Sequence, residues 1–315
     1  MTAIAEILKP GLMTTIQDLG RPGLRHQGVP LSGAADPVSF ALANAAIGNK
    51  ATAAGLECTL KGPSLRFKAS GSFALGGADM KAHLNGNALQ LYTPYDAQAD
   101  DELVLGAAQT GARGYIVFQG GLQGDDFLGS ASTYLPAKLG GINGRMLAAG
   151  DTLISAGMRP AARRDIPTTL CPVIAHDFFL RALPGPESAQ LGATELARFF
   201  SCGWTAGRRA DRMGLQLEGA QLKVLDAPPM ASSPVFPGTV QCPAAGEPFL
   251  LLYDAQTVGG YPRIAQVIAA DLPLTGQIRP GDRIWFQEVS ADAACEIAAQ
   301  KASFYGDLLP FGFFR

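Results

Sequence analysis

Turn-forming residues interrupt this chain so often that few long regular elements can fit between them. Its 315 residues include 38 glycines and 22 prolines, spread along the whole length rather than gathered in one tract. Glycine supplies positive φ at turns and proline stops helices, so this spacing favours many short strands. Two segments alternate as half-buried strands do: Ser64-Leu65-Arg66-Phe67 and Gly214-Leu215-Gln216-Leu217-Glu218. The pair Asn85-Gly86, between residues 82–84 and 88–91, marks a tight hairpin. Phe249 to Tyr253 is a short continuous apolar run suited to a strand buried on both faces. Three helices are expected: one capped by Asp36 with Pro37 at its first position, one after Pro186 and one after Ser290. Strands and helices do not alternate throughout, which excludes a doubly wound sheet. A mainly β, α+β architecture of barrel or sandwich type remains.

The length suits two domains. Met158 to Pro167 gathers two prolines and three arginines without apolar periodicity, so a linker is expected within 158–172, between domains at 1–160 and 170–315. Gly150-Asp151 and Gly281-Asp282 each launch a strand near the end of their half, a weak sign of two related β-domains. Twenty-five Lys and Arg against 27 Asp and Glu give a net charge of −2 with no block of one sign, so neither nucleic acid nor a membrane surface is an expected partner. No apolar run approaches the ~18 residues of a membrane span, and Met1 to Gly11 lacks the pattern of a signal peptide. The five cysteines (Cys58, Cys171, Cys202, Cys242, Cys295) are scattered without a CxxC, and His26, His83 and His176 lie apart. No metal site is expected, and reduced thiols fit the cytoplasm. The chain has no P-loop, GxGxxG, GxSxG or HExxH motif and no Met-Lys-Met biotinyl segment.

Four glycine-rich stretches gather the unusual polar residues. Residues 14–21 with 28–36 hold Gln17, Asp18, Ser32 and Asp36; Asp36 is either a helix cap or part of an anion-binding loop. Residues 210–214 hold Arg212, beside Asp211. The segment 238–243 holds Gln241. The fourth, 253–262, delivers Asp254, Gln256 and Thr257 to the turn Gly259-Gly260-Tyr261 from the end of an apolar strand. Polar groups there lose water and need partners, so they either satisfy one another or line a site.

Pro10 to Arg21, Gly28 to Asp36, Leu56 to Pro63, Leu183-Pro184-Gly185-Pro186, Asp211-Arg212-Met213-Gly214 and Gln256 to Pro262 follow in that order. The pattern resembles the allophanate hydrolase subunit 2 family, also called the biotin-dependent carboxyltransferase family, over nearly the whole chain. The resemblance implies tandem cyclophilin-like β-barrel domains with a few short helices. It also implies chemistry on small, planar amides. One branch is the C subunit of an ATP-dependent 5-oxoprolinase, which opens a lactam to glutamate together with A-like and B-like partner proteins. A second is a carboxyltransferase component acting on urea or another amide, with biotin on a separate carrier. A third is a non-catalytic regulator that binds a kinase-inhibitor homologue. Residue chemistry, and not the resemblance, makes Asp254, Arg212 and Tyr261 the expected catalytic groups on the first branch, Arg212 stabilising an anion. Gln241, Gln256, Thr257, Gly259 and Gly260 form the amide-binding wall, with Gln17, Asp18, Ser32 and Asp36 facing it, and ATP is bound by the complex. Glu187, Ala210, Gln216 and Ala255 depart from the family's usual residues and bear on the substrate. The aromatic tail from Phe304 to Phe314 either docks on its own domain or forms a contact patch.

Overall fold

The computed structural model describes residues 2–225, 230–310 and 313–314. They divide into two compact units, neither of them one continuous stretch: Met1–Arg21, Ser32–Ile174 and Tyr305–Phe311 form the first, Pro22–Leu31, Ala175–Phe304 and Gly312–Arg315 the second. The structure is mostly β, with few and short helices, as the turn density requires.

In the first unit the strands are β1 (Ala3–Lys9), β2 (Met13–Gln17), β3 (Gly55–Thr59), β4 (Ser64–Phe67), β5 (Gly71–Gly77), β6 (His83–Leu84), β7 (Asn87–Ala88), β8 (Tyr95–Ala97), β9 (Glu102–Val104), β10 (Arg113–Phe118) and β11 (Thr152–Ile154). They form a six-stranded sheet, β11-β1-β4-β9-β6-β7, and a five-stranded one, β2-β3-β10-β5-β8. Leu56, Phe67, Phe73, Ile116 and Phe118 share one core cluster. The expected hairpin joins β6 to β7, with Asn85 at φ 50° and Gly86 at φ 85°, the left-handed pair such a turn demands. Helix α1 (Pro37–Ala46) begins where Asp36 accepts from Ser39 N. Every residue from Val38 to Ala46 is buried, so the helix lies inside the unit instead of showing water one polar face. The expected linker is not free. Arg163 pairs with Asp96, Ala161 N donates to Gly48 O at 2.7 Å, and the first unit runs on to Ile174.

The second unit is a closed barrel. Its strands are β12 (Asp177–Pro184), β13 (Gly203–Ala210), β14 (Gly214–Glu218), β16 (Thr239–Gln241), β17 (Phe249–Leu251), β19 (Arg263–Val267) and β20 (Arg283–Glu288), and β15 (Ser233–Pro234) pairs separately with β18 (Val258–Gly259). The barrel order is β12-β19-β16-β17-β14-β13-β20. The last strand returns parallel to the first, Asp177 opposite Arg283, and so removes the exposed edges an open sheet would carry. Alternation along β14 puts Leu215 and Leu217 inside, where they join Trp204, Phe199, Leu250 and Phe286. Helix α2 (Gly192–Ser201), expected after Pro186, follows a 3-10 turn at Ser188–Leu191. It buries Phe199, whose ring stacks on Phe286 at 4.7 Å. The remaining helices are α3 (Leu272–Thr275) and α4 (Ala291–Tyr305), the latter starting just after Ser290 as expected. In the tail, Tyr305, Leu309 and Phe314 are buried and Phe304 is exposed, while Phe311 lies outside the described residues. Among the described residues no helix is long and apolar enough to cross a membrane.

Candidate functional site

A cleft of about 640 Å³ opens in the second unit beside four neighbouring strands, β13, β14, β17 and β16. Gln241, from the end of β16, and Gln256, from the loop after β17, supply its amide groups; Phe249 and Leu251 supply apolar wall. Tyr261 also lines it and is 55% exposed, so its phenol stands at the cleft's solvent side. Gln241 is almost wholly buried. Its Nε2 donates to Tyr261 O at 3.1 Å and its Oε1 accepts from Gln256 Nε2 at 3.3 Å. Gly259 makes this arrangement possible, because a Cβ there would sit 2.6 Å from Gln241 Nε2. A side-chain amide has two donors and a carbonyl with two lone pairs. Each glutamine therefore keeps one N–H, and the Gln256 carbonyl stays available to a ligand.

Arg212 and Asp254 do not line this cleft. They face each other, both nearly inaccessible, with Arg212 Nε 2.8 Å from Asp254 Oδ2 and Nη2 3.1 Å from Oδ1. Asp254 N also donates to Arg212 O at 2.9 Å. The pair ties the turn after β13 to the loop after β17, the two segments that carry cleft residues. Both groups were expected in direct contact with substrate; the geometry makes them a clamp between loops. Thr257 and Gly260 sit in the loop outside the lining, and Thr257 O accepts from Val235 N at 3.0 Å.

Gln17, Asp18, Ser32 and Asp36 all belong to the first unit and are buried there. Asp18 Oδ1 accepts from Gly20 N at 2.7 Å and Ser130 Oγ at 2.7 Å, and Oδ2 from Ala131 N at 2.8 Å. Asp36 caps α1, Oδ1 accepting from Ser39 N at 3.0 Å and Oδ2 from Ser39 Oγ at 2.6 Å. Gln17 Nε2 donates to Thr15 Oγ1 and Thr133 O, whereas Gln17 Oε1 and Ser32 Oγ have no partner among the described residues.

The four departures find local explanations. Glu187 grips Arg263 through both oxygens, Oε2 at 2.7 Å from Nε and Oε1 at 2.5 Å from Nη2, and that guanidinium holds its carboxyl below the usual range. Ala210 lines the cleft, where a small side chain leaves space. Gln216 donates to Glu247 Oε2 at 2.8 Å. Ala255 is fully buried beside Val235 and Leu251, leaving no room for a large polar group.

Two lining residues escaped the sequence: Arg208 and Arg209, adjacent at the end of β13. Successive strand residues normally face opposite ways, so neighbouring arginines read as one in and one out. The pairing of β13 with β14 is irregular here. Ala206 pairs with Leu217 but Ala210 with Leu215, so three residues bulge opposite Gln216 alone. Such bulges redirect side chains next to sites. Among the described residues no cluster of three metal-ligating groups forms, and the buried thiols of Cys58 and Cys242 are each pushed up to about 12 by burial, which leaves them inert as nucleophiles.

Residues 27–288 match the family described as carboxyltransferase domain, subdomain A and B. The C subunit of Escherichia coli 5-oxoprolinase is 35% identical over 303 residues, covering 96% of this chain and 97% of that protein. That of Haemophilus influenzae is 36% identical over 292 residues, covering 93% of each. The crystal structure of the Kluyveromyces lactis urea carboxylase superposes with a TM-score of 0.92 at 28% identity, covering 99% of this chain and 30% of that one. In the urea amidolyase of K. lactis the same fold, again at TM-score 0.92, takes up 20% of the chain. The ordered glycine-rich motifs, the mainly β fold and the likeness along almost the full length agree: the chain belongs to the carboxyltransferase family of subdomains A and B.

Proposed function

We propose that this chain is the C subunit of an ATP-dependent 5-oxoprolinase, and that the cleft of its second unit grips the lactam whose ring is opened to glutamate. The observation that carries this is the pair of glutamine amides, Gln241 and Gln256, fixed against each other with hydrogen-bonding capacity left over inside a partly apolar cleft. A lactam shows a carbonyl acceptor and an N–H donor on one edge. Gln256 Oε1 can accept from that N–H, and the free Gln241 N–H can donate to the carbonyl oxygen. Negative charge builds on this oxygen as the ring opens, and donors fixed beforehand stabilise it more than mobile water does. Tyr261, at the mouth, adds a phenolic O–H and covers the bound ring. Arg212 and Asp254 act as positioning residues, and Gln17, Asp18, Ser32 and Asp36 organise the first unit. Full-length likeness to the 5-oxoprolinase C subunits of two bacteria supports this reading.

ATP, when bound, would convert the lactam carbonyl oxygen into a leaving group. The cleft does not fit a magnesium nucleotide: of its lining residues only Asp211 is acidic, and its Oδ1 accepts from Met213 N and Gly214 N in its own turn. We therefore assign the nucleotide to the A-like and B-like partner proteins. Five free thiols fit a cytoplasmic setting.

The test is to purify this chain with its A-like and B-like partners and measure ATP-dependent glutamate release from 5-oxoproline. Release that falls sharply in Gln256→Ala supports the assignment; a complete complex that releases none overturns it. One observation favours a second reading: nearly all of this chain superposes on 30% of the urea carboxylase chain. Carboxyl transfer would need carboxybiotin on a separate carrier, so an avidin-reactive protein co-purifying with this chain would favour that branch. Tight binding to a B-like partner without turnover of any amide would mark a regulatory protein.

A further inference from the structure

Three guanidinium groups in the second unit lack a counter-ion among the described residues. Arg208 and Arg209 line the cleft, are exposed, and make no ion pair or hydrogen bond among the described residues. Both stand on the bulged stretch of β13 and line the same cleft. The third is Arg25, in the segment that joins the second unit. Its Nη2 donates to Val235 O at 2.5 Å and Gln256 O at 2.8 Å, and its guanidinium carbon lies 5.6 Å from the Phe236 ring centre. Nε and Nη1 of Arg25 are buried without a partner, and no carboxylate among the described residues balances the charge. A fixed positive charge therefore sits against the backbone of a cleft residue. The lining has one carboxylate, Asp211, already engaged by its turn. Asp254, nearby in sequence, is neutralised by Arg212. The cleft thus combines apolar wall, two amides and an excess of cationic donors, and guanidinium groups suit planar carboxylates.

We propose that this cleft reads a carboxylate: Arg208 and Arg209 bind the anionic group of a small amide whose carbonyl and N–H engage Gln241 and Gln256, so that the chain takes anionic amides and rejects neutral ones. The inference rests on the cleft being the amide site described under the proposed function. The anion-binding role expected of Arg212 passes to these two residues. 5-Oxoproline carries a carboxylate on its lactam ring, whereas urea and 2-pyrrolidinone, the same ring without the carboxylate, are neutral.

The experiment is calorimetric titration of the full-length chain with 5-oxoproline, 2-pyrrolidinone and urea, before and after the double substitution Arg208→Gln, Arg209→Gln. The wild type binds 5-oxoproline at least about tenfold more tightly than either neutral compound, and the double variant loses that advantage while its weak affinity for 2-pyrrolidinone is unchanged. Raising KCl from about 50 to about 500 mM weakens 5-oxoproline binding alone, since screening acts on the charged contact. Equal affinity for the two lactams, no measurable binding of 5-oxoproline, or a double variant with unaltered affinity and melting temperature overturns the inference. Glutamate release by the assembled complex separates it from the proposed function. Release with an unchanged KM in the double variant overturns the carboxylate role and leaves the proposed function standing. Carboxylate-selective binding without any release does the reverse.

Discussion

Between Arg212 and Asp254 two opposite charges meet at a position from which water is almost excluded. Such pairs are weak sources of net stability but costly to break from one side, because a buried charge then loses a partner. Asp254→Ala should therefore destabilise the second unit by about 3–5 kcal/mol, read from urea unfolding. The apolar double substitution Arg212→Met, Asp254→Leu should recover most of that loss; a double variant no more stable than the single one would show that the clamp is not the source of the effect. Gly259 makes a complementary case. In Gly259→Ala the new methyl group meets Gln241 Nε2, the far end of a side chain, at a half-buried position of β18. Lactam affinity should drop at least about tenfold while the melting temperature moves by less than about 3 °C, which calorimetry and a thermal scan check on the same sample.

Helix α1 tests the element scale, because its start is legible from two residues, Asp36 and Pro37. Asp36 supplies both oxygens to Ser39 and Pro37 fills the first helical position. Asp36→Ala removes the cap and should cost about 1–2 kcal/mol, a fall of roughly 2–8 °C in melting temperature. An unchanged melting temperature would mean the buried faces of the helix, not its cap, hold it in place. Other elements were equally plain. Asn85-Gly86 turns the hairpin, β17 comes from the apolar run at 249, and α4 follows Ser290, all because local chemistry there agrees with tertiary packing. Elements that depend on distant partners were not. Residues 22–31 have no periodicity, and their place in the second unit depends on distant partners such as Val235 and Gln256, to which Arg25 donates. The same limit applied to the site. Its loops could be named from glycine and polar content, but which side chains face the cleft depends on an irregular strand register at 206–210. Period-two reasoning assumes that register is regular. Asp254, at the end of the apolar run, needs a partner and finds Arg212 inside the fold, and that long-range pairing is not written in the local sequence.

Ionisable groups that stay neutral when buried set how the whole chain responds to alkali. Cys58 in the first unit and Cys242 in the second are fully buried, and burial pushes each thiol up to about 12 from an ordinary value of 9.0. Burial also raises Tyr92 and Tyr115, and takes Tyr305 to about 12. In every case the folded form holds its proton more tightly than the unfolded chain does. Their contribution is thus complete below the unfolded value and declines as pH climbs through the folded one, because only the unfolded chain gains by ionising. For the two thiols the window is pH 9 to about 12. Unfolding free energy should be nearly level from about pH 7 to 8.5 and then fall by on the order of 1 kcal/mol per pH unit for each group in play. Urea melts taken across that range measure the slope, with Cys58→Ala and Cys242→Ala as the controls. Each substitution lowers stability at neutral pH by leaving a small void, but flattens the alkaline limb by one proton. If both variants kept the parental slope, the steepness would belong to the buried tyrosines, whose loss of the phenolic proton a rise in phenolate absorbance at about 295 nm reports directly.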